Sequence, residues 1–196
     1  LLFVITASAA LQPAAASNNN ILPEVKISTI PAEKKIGLEI SNVKQLQTIY
    51  IKDQSGIVLL SEELQPDQRY ARLINLKELP VGKRYFLVLD NDLQKQIYPF
   101  MLTEQGAVME NANQKVLYKP VINVREDHID LSYFNGQVSN VEVAFYDQNG
   151  EEFFSESMDY VIKVEKRYKL KSFSPGQYML KVTTPSETYV RQFEVK

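Results

Sequence analysis

The sequence predicts an all-β fold of two tandem antiparallel β-sandwiches, and three observations carry that expectation. The first is internal similarity. Asp53-Gln54-Ser55-Gly56 recurs as Asp147-Gln148-Asn149-Gly150, and Ile74, Leu76, Leu79 and Gly82 recur as Tyr168, Leu170, Phe173 and Gly176, each offset by 94 positions. Tyr85–Leu89 returns as Tyr178–Val182, and Ile36, Leu38 and Ile40 as Ile129, Leu131 and Tyr133, offset by 93. A period of about 20 to 50 residues would mean a solenoid or propeller, whereas this one has the size of a small β domain. The second observation is alternation. Val141, Val143 and Phe145 are interleaved with Glu142, Ala144 and Tyr146, and Ile49 and Ile51 with Tyr50 and Lys52. Successive strand residues face opposite sides, so this pattern gives one buried and one wet face. The third is punctuation: turn signals recur about every 8 to 12 residues with no helical period between them, which favours an antiparallel sandwich over a parallel sheet.

The elements follow in order. Leu1–Leu11 is an apolar run with the length of a signal-peptide core, too short for the ~20 residues of a membrane span, and Ala14-Ala15-Ala16 offers a cleavage site. Residues 1–16 are therefore expected to be an export signal whose first few residues precede Leu1. Ser17–Pro23 is a polar spacer. The first sandwich is expected over 24–103, a linker over 104–114, and the second sandwich over 115–196, with about seven strands in each copy. Asn149-Gly150 is expected to supply the positive φ angles of a tight hairpin, with Ser55-Gly56 as the weaker version. Gly82 and Gly176, with Pro80 and Pro175 nearby, are expected in equivalent turns ahead of the strongest strands.

Composition narrows function. Residues 22–103 carry 11 basic and 10 acidic groups and residues 115–196 carry 11 and 12, so neither half has the basic excess of a nucleic-acid binder. Cysteine and tryptophan are absent, so each domain must hold by its core alone, without the disulfide and buried Trp of antibody domains.

Leu79-Pro80-Val81-Gly82-Lys83-Arg84-Tyr85-Phe86-Leu87-Val88 and Phe173-Ser174-Pro175-Gly176-Gln177-Tyr178-Met179-Leu180-Lys181-Val182 resemble the Gly-x-Tyr-x-Leu-x-Val strand of secreted bacterial immunoglobulin-like and fibronectin type III-like modules. The first copy has one extra residue, Lys83-Arg84 against Gln177, which suggests a small bulge. The second copy also resembles the C-terminal sorting domains of the type IX secretion system, which end in a similar strand and a final hairpin. The resemblance implies immunoglobulin-like sandwiches serving as binding, adhesive or spacer units, with function in variable loops, so it assigns no residue a role.

His128 is the sole histidine and reads as a turn residue, so a Ser-His-acid triad or zinc site is not expected. Asp90-Asn91-Asp92 has oxygen ligands for calcium, but its hairpin should point away from the junction between the copies, and it reads as turn chemistry. No catalytic, metal-binding or cofactor motif is found, and no cofactor is expected. The acidic groups between Glu142 and Asp159 and the basic groups between Lys163 and Lys171 should pair across strands. The candidate partner surface is Tyr146, Tyr160, Lys163, Lys166, Arg167 and Lys169, for a protein or glycan whose identity stays open. These observations predict a non-catalytic extracytoplasmic module for binding, adhesion or assembly at a bacterial envelope, with no nucleic-acid partner and no transmembrane segment in the mature chain. The alternatives are a sorting role for the C-terminal domain or an accessory module of a glycan-active enzyme.

Overall fold

A computed structural model describes residues 23–196; the segment read as an export signal lies outside the described residues. The fold is all-β, two tandem antiparallel immunoglobulin-like sandwiches. In the first, β1 (Glu24–Ile30), β2 (Lys35–Ser41) and β5 (Tyr70–Asn75) form one layer in the order β1-β2-β5. The other layer contains β3 (Gln47–Asp53), β4 (Val58–Leu64), β6 (Lys83–Asp90) and β7 (Gln94–Thr103), in the order β4-β3-β6-β7. Alternation places Ile36, Leu38 and Ile40 against Ile49, Ile51, Leu87 and Leu89 in a closed core, each at most 2% exposed.

The second sandwich has the same strand order built from fewer strands. Its elements are β10 (Val121–Val124), β11 (His128–Tyr146), β12 (Glu152–Lys169), β13 (Gly176–Thr183) and β14 (Thr188–Val195). The first half of β11 pairs with β10 and the second half with β13, while β12 follows β11 along both halves. One long hairpin thus contributes to both layers and bends between them. The bend falls where the register shifts, between Phe134 and Val141, and there Gly136 and Tyr160 have φ of 75° and 54°. Strands that switch layers commonly turn the corner at such irregularities. In the first sandwich the same corners are outright breaks, flanked by Asn42 and Asp67 at φ of 57° and 60°. The expected count of about seven strands is thus met by β1–β7 over residues 24–103, whereas the second sandwich reaches the same order with the five strands β10–β14. The core gathers Ile129, Leu131 and Tyr133 with Val143, Phe145, Leu180, Val182 and Phe193.

The segment read as a linker is structured. β8 (Gly106–Met109) pairs with β7 over Phe100–Thr103, and a short 3-10 turn covers Asn111–Asn113. β9 (Lys115–Tyr118) then pairs with β7 over Gln94–Ile97, so residues assigned by sequence to the second sandwich complete the first. At four residues each, β8 and β9 are too short for alternation to show. β9 runs antiparallel to β7 and returns the chain to the Asp90–Asp92 tip. That tip therefore lies at the junction between the copies, contrary to expectation: Lys119 Nζ pairs with Asp90 Oδ1 at 2.6 Å. Asn91 Oδ1 accepts the N–H groups of Leu93 and Gln94, the ordinary turn chemistry of an Asx residue.

Three local expectations need correction. In the Asp147–Gly150 turn only Gly150 has positive φ, at 79°. Gly150 N–H donates to the Asp147 carbonyl, and a register shift follows between Phe145 and Tyr146, a longer turn closed by a bulge rather than a two-residue hairpin. The extra residue Lys83-Arg84 makes no bulge, since β6 pairs with β7 in unbroken register from Lys83 to Asp90. Gly82 and Gly176 are not equivalent either. Gly82 sits in the turn at φ 73° and donates to the Leu102 carbonyl, whereas Gly176 opens β13 at φ 158°, paired with Val195. The recurring tyrosine has a physical reason: Tyr85 donates its hydroxyl to the Pro80 carbonyl at 2.8 Å and Tyr178 to the Ser174 carbonyl at 2.9 Å, tying the strand to the turn before it.

Candidate interaction surface

The six sequence-selected residues do not form one patch. Tyr146 ends β11, donates its hydroxyl to Glu152 at 2.9 Å and lies under the Lys181 ammonium, 5.0 Å from the ring centroid. The Glu152 carboxylate beside it raises its phenol pKa. Tyr160 lies at the other end of the hairpin, at the bend, and is 82% exposed; Phe134, Val138 and Ile162 are also exposed. Lys163 continues from it and pairs with Glu165 at 2.6 Å.

Lys166, Arg167 and Lys169 lie on the returning arm of β12. Arg167 stands opposite Asp130 on β11 and donates to both its oxygens, at 2.6 and 2.9 Å. The guanidinium holds the Asp130 carboxyl below the usual carboxylate range. Lys166 falls on the core-facing parity of β12 and reaches across the open side of the sandwich to Glu156 at 2.9 Å. Tyr168 donates to that same carboxylate, and burial, then the acceptor carboxylate, push its phenol pKa up. The first sandwich repeats the device: Arg72 and Tyr70 both bond Glu62. Opposite charges therefore do meet, but Glu156 and Lys166 do so between layers rather than between neighbours in one sheet. Lys163, Lys166 and Arg167 are all matched by carboxylates within the chain.

The surface that sequence reasoning missed is aromatic. Phe145, 1% exposed, has the rings of Phe153, Phe154, Tyr168, Phe173 and Phe193 within 6.2 Å, centroid to centroid. Most of these contacts are edge-to-face, the arrangement ring quadrupoles favour. The bulge beside Phe145 sets two consecutive phenylalanines against one opposing residue, and the core cannot cover both: Phe153 is 48% and Phe154 43% exposed. Phe153, Phe154 and Phe173 line a hollow of about 380 Å3, rimmed by Arg167 and Lys169. The signal available in the sequence was the adjacent pair Phe153-Phe154, separated by two residues from the Asp147–Gly150 turn.

The first sandwich has a concavity of a different kind. The outer face of its larger layer carries Phe86, Val88, Ile97 and Pro99 in a groove of about 570 Å3, bordered by the Arg84–Glu110 pair. Glu187, from the turn between β13 and β14, closes one end through Lys95 at 2.9 Å. Tyr189 donates to the Tyr118 carbonyl at 3.0 Å, so the two sandwiches touch through β9. His128 opens β11 and contacts the carboxylates of Asp127 and Asp130. Among the described residues no group of three or more His, Cys, Asp or Glu side chains could hold a metal ion, and no helix is long and apolar enough to cross a membrane.

Residues 121–196, the whole of β10 to β14, match the family model described as a secretion system C-terminal sorting domain. The second sandwich is similar to sorting domains. The match begins at the first residue of β10 and omits β9, in keeping with the pairing of β9 to the first sandwich. No curated protein matches the chain in sequence. Among solved structures, a two-domain fibronectin type III segment of chicken tenascin is 12% identical with a TM-score of 0.32, covering 88% of this chain and 99% of that one. The BSP domain of a biofilm associated protein is 14% identical with a TM-score of 0.30, covering 87% of this chain and 29% of that one. At these scores the fold assignment rests on the strand order of the chain itself.

Proposed function

We propose that residues 121–196 form a sorting module that directs the protein through a type IX secretion system, and that residues 24–118 form the non-catalytic binding or spacer domain it exports to the cell surface or medium. The single observation that carries this reading is the family match, which coincides with one complete sandwich. The pairing of β9 supports a division at Lys119-Pro120 instead of a linker over 104–114. The aromatic hollow of the sorting module suits recognition by a protein, because exposed rings on a rigid framework bury area at small entropic cost. The groove beside Phe86 and Ile97 supports a binding role for the first domain. The export signal over residues 1–16 belongs to the same reading, delivering the chain to the periplasm before sorting.

The test is mass spectrometry of the protein recovered from the medium or cell surface of a host with the secretion system. Sorting domains of this kind are removed on export, so peptides from 24–118 should be abundant and those from 121–196 absent. Retention of the C-terminal peptides in the exported form would contradict the sorting assignment and favour a binding or adhesive role for both domains.

A further inference from the structure

The two sandwiches differ at one edge. In the first, β7 pairs with β6 on one side and is covered on the other by β8 and β9. In the second, β14 is the counterpart of β7 and pairs only with β13 among the described residues. The phase of the ladder shows what the open side offers. Thr184 N–H donates to the Glu187 carbonyl at 2.9 Å, which makes Tyr189, Arg191, Phe193 and Val195 the residues bonded to β13. By the alternation of an antiparallel pair, Thr188, Val190, Gln192 and Glu194 direct their backbone N–H and C=O groups to the open side. The first sandwich has the same phase, set by Asn91 N–H on the Gln94 carbonyl, and there the outward Pro99 carbonyl accepts Glu110 N–H at 2.9 Å.

We propose that the β14 edge is a strand-addition site. It takes an extended segment of a protein partner with apolar, unbranched or small side chains at alternate positions, in the position β8 holds against β7. The first sandwich specifies that chemistry. Ala107 and Met109 of β8 stand opposite Leu102 and Phe100, and the corresponding residues of β14 are Val195 and Phe193. β14 contains no proline and pairs with β13 over all eight residues without a bulge; its edge charges are the exposed Arg191 and Glu194. Main-chain hydrogen bonds supply affinity in this mode and alternate side chains supply selectivity. The inference rests on edge geometry and stands apart from the sorting assignment.

The chain supplies its own blocking variant. Pro99 of β7 corresponds to Gln192 of β14, and Pro99 leaves the β6–β7 ladder intact because the N–H it lacks would have faced the edge. Gln192→Pro should therefore remove one outward donor while preserving the β13–β14 pairing. The probe is a synthetic peptide of residues 104–119, added to the full chain, in which the β7 edge is already occupied. Amide resonances of Val190, Gln192 and Glu194 should shift and become protected at ~1 mM peptide, and Gln192→Pro should weaken binding by roughly tenfold or more. Absence of shifts on β14, or unchanged binding by the variant, would overturn the proposal. Self-association of the unliganded chain through β14 would also overturn it, by giving the edge to a second copy. If Gln192→Pro disturbs the β13–β14 amides, the wild-type map decides: shifts confined to the outward amides of β14 support the site, and shifts elsewhere contradict it.

Discussion

In the first sandwich, the end beside the Asp53–Gly56 turn is filled by Ile51, Leu60, Ile74 and Leu79; in the second, the same positions hold Phe145, Phe154, Tyr168 and Phe173. Both ends carry the same bulge after the turn, at Ile51/Lys52 and Phe145/Tyr146. One backbone plan thus supports a small aliphatic plug in one copy and an oversized aromatic cluster in the other. The overflow of that cluster, Phe153 and Phe154, becomes surface. A second contrast lies at the opposite side of the sheet, where β7 is covered and β14 open. Both differences leave the second domain with apolar or edge surface at places where the first is filled or covered.

The sharpest way to break this contrast is at Phe145. Phe145→Ala removes the ring on which five others converge, and should cost the second domain about 3 to 5 kcal/mol, leaving the first unchanged. Phe153→Ala, at a half-exposed ring, should cost far less, no more than about 1 kcal/mol. Denaturant unfolding followed by residue-resolved amide exchange checks both. If Phe153→Ala proved as costly as Phe145→Ala, Phe153 would be core and not contact surface.

Next in size is the edge cover. A fragment ending at Thr103 loses β8 and β9, whose Ala107 and Met109 pack on the core, and should be roughly 2 to 4 kcal/mol less stable than a fragment ending at Tyr118. Equal denaturant midpoints would mean that residues 104–118 add nothing to the first domain, as expected of the linker read over 104–114. A smaller effect is expected at Gly82. Its φ of 73° is disfavoured for residues with a Cβ, so Gly82→Val should destabilise the first domain by about 1 to 2 kcal/mol, again read from midpoints.

The smallest effect is in alkaline titration. Burial raises the phenol pKa values of Tyr70, Tyr168 and Tyr189, helped at Tyr70 and Tyr168 by the acceptor carboxylates Glu62 and Glu156. A raised folded-state pKa gives stability that is complete below the ordinary value of 10.0 and is lost as pH rises above it, because the unfolded chain ionises first. Phenolate absorbance is unobscured in a chain without tryptophan. These three of the eleven tyrosines should ionise last and together with unfolding; their ionisation in the first phase would mean the phenols are free in solution.

The fold was legible in the sequence because alternation and turn spacing are local and recur in both copies. The pairing of Arg167 with Asp130 was not legible, because the acidic partners were sought between Glu142 and Asp159. What escaped was set by distance in the chain. β8 and β9 are strands only because β7 waits beside them, and the layer-switching hairpin of β11 and β12 looks in sequence like four strands with weak breaks. The aromatic hollow was missed because Phe153 and Phe154 violate alternation. That violation is the bulge, and its meaning depends on Phe145 and Phe173 arriving from elsewhere.

The most direct test of the account is the location of a truncated protein. Deleting residues 121–196 should leave 24–118 folded, with β9 in place, yet retained in the periplasm of a host with the secretion system, while the full chain reaches the surface or medium. Efficient export of the folded truncation would contradict the claim that the second sandwich is the sorting module.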